Sequence, residues 1–345
     1  MAERAWTTSD FEYLLPEDQI AQVPSHERGA SRLLTLERRS GAVADLHFSD
    51  LTVMIAPGDL LVVNSTRVRH ARLPGTRPSG GPAEVLLIHP LGNGSWLAMG
   101  RPGSAMKPGR VIDLGDGIGV ETIAVRDDGM REVRIVGGDV ETAIARFGRL
   151  PLPPYITRDP TDEDDRRYQT VYAEREGSVA APTAGLHITE GFLAELRKNG
   201  VVVVDLDLEV GPGTFKPVET EQITDHPMHA ESFEIPVATA EAIAALRSRG
   251  GALWAVGTTV VRALESVARS DGTVPAGAAT TSLLISPGFR FQAVDRLITN
   301  FHLPRSTLLM LVSAFAGHDA TMAAYRHAVS TGYRFYSYGD AMCIL

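Results

Sequence analysis

The stretch GRVIDLGDGIGVETIAV (residues 109–125) decides how the chain is read. Two β-branched runs, VIDL and GVETIAV, flank the turn sequence Gly115-Asp116-Gly117, which is hairpin chemistry. The pattern repeats on both sides. EVLLIHP (84–90) and SWLAMG (95–100) are separated by LGNG, and REVRIVGG (131–138) follows DDG. Short strands at this even spacing predict a small all-β barrel over residues 74–149, closed by a helix, DVETAIARFG, that ends at Gly148.

Outside that segment the period changes. LPLPPYI (150–156) is a proline-rich connector. After it helices and strands alternate. Thr189 caps a helix stopped by Gly200, VVVVDLDL (201–208) forms a buried strand, and Thr239 caps ATAEAIAALRSRG. ALWAVG (252–257) is a strand feeding the helix TTVVRALESVAR. On the other side, DLLVVNSTRVRHARL (59–73) reads as one strand. The expected fold class is therefore α/β: a larger α/β domain formed by both ends of the chain (1–73 and 150–345), with the β-barrel domain inserted at 74–149.

Composition narrows the function. The chain has 345 residues and a net charge of −9, so any nucleic-acid contact needs a local basic patch. Arg67, Arg69 and Arg72 in RVRHAR form the best one; a solvated edge strand would look the same. The single cysteine, Cys343, excludes an internal disulfide framework and cysteine-rich zinc sites. No apolar run approaches the ~20 residues of a membrane span, and the N-terminus lacks a signal-peptide core, so a cytoplasmic protein is expected.

Several stretches could carry chemistry. Gly257-Thr258-Thr259 brings a strand to a helix start, where free amides and hydroxyls suit a carboxylate or phosphate, with Arg262 one turn on. EVGPGTFKPV (209–218) lacks the third glycine of a dinucleotide fingerprint and the G-K-[ST] of a phosphate loop, leaving a tight turn or a close ligand approach. His226, His229 and Glu231, with His187, could hold zinc, although Pro227 breaks the usual helical spacing. The acidic run RDPTDEDDRR (158–167) reads as a solvated loop. YSYGDAM (336–342) reads as a C-terminal strand, or as rings and an acid that hold a purine.

The stretches APTAGLH (181–187), VGPGTFKPV, MHAE, AVGTTVVRALES, TNFHLP (299–304) and YRFYSYGDAM occur in one order with FEYLLPEDQIAQVP and GDLLVVNSTRV. In this the chain resembles the S-adenosylmethionine:tRNA ribosyltransferase-isomerase family of queuosine biosynthesis over its whole length. The resemblance implies an α/β domain with an inserted β-barrel and a monomer. It also implies transfer of the ribosyl group of S-adenosylmethionine to 7-aminomethyl-7-deazaguanine at the tRNA wobble position, forming epoxyqueuosine and releasing adenine and methionine. No metal is implied. On this view Thr183, Ala184, Gly185, Gly211, Gly213, Thr214, Gly257, Thr258, Thr259 and Arg262 bind S-adenosylmethionine, and Arg67, Arg69 and Arg72 meet tRNA. The chemistry needs a base near C5′, for which His187 leads and His229 follows, while Asp340 or Glu209 would protonate adenine or face the sulfonium. The family usually carries His where this chain has Glu209.

Overall fold

The computed structural model describes residues 4–211 and 218–345. Seventeen strands and eight α-helices lie among them. The first part of the chain gives β1 (Arg32–Leu36), β2 (Val43–His47), α1 (Leu51–Met54), β3 (Leu60–Asn64), β4 (Thr66–Val68) and β5 (Arg72–Thr76). The hairpin-rich segment continues with β6 (Pro82–Pro90), β7 (Trp96–Arg101), β8 (Val111–Gly115), β9 (Ile118–Val125), β10 (Arg131–Val136) and α2 (Val140–Phe147). Then come α3 (Asp162–Arg167), β11 (Arg175–Ser178), α4 (Glu190–Lys198), β12 (Val202–Leu208), β13 (Glu231–Ile235), α5 (Val237–Arg249), β14 (Leu253–Val256) and α6 (Thr258–Val267). The chain closes with β15 (Gly277–Thr281), β16 (Arg296–Asn300), α7 (Thr307–Ala316), α8 (His318–Ser330) and β17 (Ala341–Ile344).

Nine strands form one mixed sheet in the order β15-β13-β12-β3-β14-β16-β17-β1-β2. Its middle, β12-β3-β14-β16, is parallel. Parallel strands need both faces covered, and alternation along them shows that they are. Leu60 and Val62 of β3, with Leu253 and Ala255 of β14, face a core built with α5 to α8. Leu61, Val63, Trp254 and Val256 face the opposite core, with α1 and α4. No single helix among the described residues is long and apolar enough to cross a membrane.

The hairpin-rich segment forms a separate six-stranded antiparallel sheet in the order β10-β7-β6-β5-β8-β9, with β9 hydrogen-bonded back to β10. The β8–β9 turn places Asp116 at φ 52° and Gly117 at φ 77°. Positive φ at both central residues matches the twist of the strands, which is why Asp-Gly stands there. Leu73, Val85, Ala98, Ile112, Val120 and Val133 fill the inside.

Four sequence readings change. The strand expected over 59–73 is three strands, β3, β4 and β5. Asn64 turns its side chain onto its neighbours, accepting from the Thr66 and Leu208 amides and donating to the Leu208 carbonyl, and this bends the chain. The last of the three, β5, belongs to the six-stranded sheet. The valine run of β12 is only half buried, with Val202 38 % exposed; its buried residues are Leu206 and Leu208. Thr239 is not a cap: Pro236 precedes α5, and Thr239 Oγ1 donates to the Asp205 carbonyl at 2.6 Å. The acidic run is not a solvated loop but holds α3. There Asp164 is fully buried, paired with Arg158 through both oxygens (2.6 and 2.7 Å) and accepting from Tyr338 Oη (2.7 Å) and from Thr161. Of the other sites, Thr189 does cap α4, accepting from the Phe192 amide at 3.0 Å.

Candidate active site

The parallel strands β14 and β16 end side by side, and the segments leaving them converge at one cleft. Four stretches form it: 180–184, 257–259, 299–308 and 336–337, with Tyr155 from the proline-rich connector and Val210 at the exit of β12. Clefts at the carboxyl ends of parallel strands are the usual ligand sites of such sheets. No Asp, Glu, Lys or Arg is among its described lining residues.

Each wall has a local cause. Gly257 sits at φ 96°, a conformation that favours glycine, and so delivers the chain from β14 straight into α6. The first-turn amides of α6 have no carbonyl within the helix, and Thr258 and Thr259 line the cleft there. Opposite, Pro182 starts a 3-10 turn over Thr183–His187, and a Cβ on Gly257 would lie 3.8 Å from the Ala184 Cβ, so the two loops touch. A third wall is aromatic. The rings of Tyr155 and Tyr336 pair at 4.5 Å, and Tyr155 Oη bonds Ser337 Oγ at 2.5 Å.

Two imidazoles matter. His302 lines the cleft; its Nε2 bonds Thr299 Oγ1 at 2.8 Å, and its Nδ1 has no partner among the described residues. Burial pulls its pKa down to about 3, so the ring is neutral at pH 7. His187 lies behind the wall, stacked on Phe48 with Nδ1 on Ser31 Oγ (2.8 Å) and Nε2 on Asn300 Nδ2 (3.0 Å). Burial, with Arg28 and Arg334 nearby, pulls its pKa down to about 4. Both rings accept protons far more readily in the unfolded chain. Stability is therefore complete above pH ~6.5 and falls as the pH drops through the window towards their folded values. Between pH 6.5 and 5, above most carboxylate pKa values, two such groups remove up to about 4 kcal/mol at 1.36 kcal/mol per unit each. Urea midpoints measured across that range test this, and a midpoint that does not move would contradict it.

The structure brings Thr183, Ala184, Gly257, Thr258 and Thr259 together and sends other expected site residues elsewhere. Gly185 is backed by Tyr172, whose Oη would lie 2.1 Å from an added Cβ, so its lack of a side chain serves packing. Arg262 is buried against Glu231 (Nη1–Oε2 2.5 Å) and donates to the Leu283 carbonyl, so it does not reach the cleft. Asp340 is buried and accepts the Arg32 and Arg334 amides at 2.9 Å each, a main-chain anchor rather than a free acid. His229 is exposed and apart from His187, and no group of three or more metal-ligating His, Cys, Asp or Glu side chains occurs among the described residues. Glu209 stands against Gly177 next to Val210; desolvation and Asp207 push its pKa up. Gly211 faces open space, while Gly213 and Thr214 lie outside the described residues. Arg67 is exposed on β4, whereas Arg69 lies 3.9 Å from Glu176 and Arg72 pairs with Glu84 at 2.6 Å. Sequence reasoning passed over Asn300 and His302, although TNFHLP was singled out; three polar residues within four positions at the end of a buried strand were the available signal.

The model of a family described as queuosine biosynthesis protein matches residues 8–344. The chain belongs to this family. Among its relatives, proteins named S-adenosylmethionine:tRNA ribosyltransferase-isomerase from Anaeromyxobacter sp. and Heliobacterium modesticaldum are 52 % and 50 % identical, each alignment covering 97 % of this chain and 98 % of the relative. The crystal structure of S-adenosylmethionine tRNA ribosyltransferase from Thermotoga maritima is 35 % identical, with a TM-score of 0.56, over 97 % of this chain and all of that one. Of the segments quoted from the sequence, APTAGLH, AVGTTVVRALES, TNFHLP and YRFYSYGDAM each supply residues of the cleft wall, as does Val210 of VGPGTFKPV.

Proposed function

We propose that this protein is an S-adenosylmethionine:tRNA ribosyltransferase-isomerase acting on tRNA with 7-aminomethyl-7-deazaguanine at the wobble position. The observation that carries this is identity of about 50 % along nearly the full length of relatives so named. The cleft supports it. An aromatic wall suits adenine, first-turn amides of α6 suit the methionine carboxylate, and the lack of cations among the described lining residues suits a sulfonium. In the reaction a base removes the acidified C5′ proton, adenine leaves, the tRNA aminomethyl nitrogen attacks the rearranged ribosyl, and methionine departs as the epoxide closes. His302 offers the cleft a neutral imidazole nitrogen and is our candidate for the proton transfer. His187 acts one hydrogen bond behind the cleft residue Asn300, and Glu209 stands beside Val210.

The six-stranded sheet is read as a closed barrel inserted into the α/β domain, and Arg67 as a phosphate contact. The protein is further taken as a cytoplasmic monomer that needs no metal. Incubation with S-adenosylmethionine and the precursor tRNA should release one adenine per modified nucleoside formed. Intact S-adenosylmethionine and unchanged tRNA would overturn the reading.

A further inference from the structure

Asn300 ends β16, is 2 % exposed, and lines the cleft. Its Nδ2 lies 3.0 Å from both His187 Nε2 and the Tyr336 carbonyl. A carbonyl oxygen only accepts, so the atom facing it is the amide nitrogen, and the orientation of the side chain is fixed. The same nitrogen donates to His187 Nε2, which is therefore the unprotonated nitrogen of that ring, and Nδ1–H donates to Ser31 Oγ. Both amide hydrogens are thus used. The remaining atom, Oδ1, is buried with no partner among the described residues. A buried acceptor left unmet in this way is uncommon, and a bound ligand is a natural source of its donor.

We propose that Asn300 is a specificity-determining residue whose Oδ1 accepts a hydrogen bond from the exocyclic 6-amino group of the adenine, with Ser31 and His187 as positioning residues that hold the amide. This rests on the cleft binding S-adenosylmethionine. Two observations favour an amine on a flat ring. Asn300 is tied to the main chain of Tyr336, whose ring pairs with Tyr155 on the same wall, so a base stacked there presents its edge to the amide. The two bonds of Nδ2 fix Oδ1 as an acceptor, which pairs with an amino group and rejects an oxo group that has no hydrogen to donate.

The test compares turnover of S-adenosylmethionine with that of analogues carrying hypoxanthine or 2′-deoxyribose. The wild-type protein should disfavour the hypoxanthine analogue in kcat/KM by about 10- to 100-fold, the range for one unmatched buried hydrogen bond. In Asn300→Leu that ratio should fall to within about threefold, whatever the loss in overall rate. Ser31→Ala, which frees His187 without touching the ligand, should erode the ratio in part and keeps the question answerable if Asn300→Leu does not fold. An unchanged hypoxanthine ratio in both variants overturns the proposal, as does an Asn300-dependent ratio seen only with the 2′-deoxy analogue. A wild-type protein inactive with S-adenosylmethionine itself would instead overturn the activity on which the proposal rests.

Discussion

His302→Gln should lower the rate of adenine release by about 10²- to 10⁴-fold, the usual contribution of a positioned general acid or base. Three facts support this size. His302 is the one imidazole among the described lining residues of the cleft, its Nδ1 has no protein partner there, and its neutrality at pH 7 lets it take a proton. Its main chain is held independently of the ring. The His302 carbonyl accepts from Tyr13 Oη (2.5 Å), and its amide donates to Tyr325 Oη (3.1 Å). Glutamine therefore keeps a polar side chain at a backbone position that does not depend on imidazole. Single-turnover adenine release measured with an unchanged urea midpoint checks the prediction. His187→Gln should lose less, because His187 reaches the ligand only through Asn300. If His187→Gln were the more damaging of the two, the roles would be reversed.

Asp164→Ala should destabilise the protein by about 3–5 kcal/mol, the cost of removing one member of a buried ion pair. The carboxylate is fully buried, and Arg158, Tyr338 and Thr161 hold its pKa well below the usual carboxylate range. Truncation leaves the Tyr338 hydroxyl and the Thr161 amide without their acceptor and unpairs Arg158, which is partly exposed and so recovers some hydration. The loss links α3 to the C-terminal segment, since Tyr338 immediately follows the cleft residues Tyr336 and Ser337. A fall in the urea midpoint at constant m-value would show it; a change below about 1 kcal/mol would contradict it.

The same residue shows what sequence could not disclose. RDPTDEDDRR looks solvated because eight of its ten residues are charged, and Tyr338, the partner of Asp164, lies 174 positions away. The hairpins of the six-stranded sheet were legible because their turns demand glycine at positive φ, a local requirement. The α/β alternation was legible for the same reason, through periodicity and caps such as Thr189. The three-way division of residues 59–73 was not, since it depends on Asn64 bonding the main chain of β12. Within the site, motif order identified the right segments but not which side chains turn towards the cleft. Arg262, Asp340 and His187 are all polar residues in those segments, and each is held by a partner distant in sequence.

The position of bound S-adenosylmethionine is the most direct measurement. A crystal structure of the protein soaked with it should show adenine against Tyr155 and Tyr336, its 6-amino group at Asn300, and the methionine carboxylate at the α6 amides of Thr258 and Thr259. Density for the ligand elsewhere, such as the groove between the six-stranded sheet and the proline-rich connector lined by Arg72, Arg101 and Pro153, would contradict it.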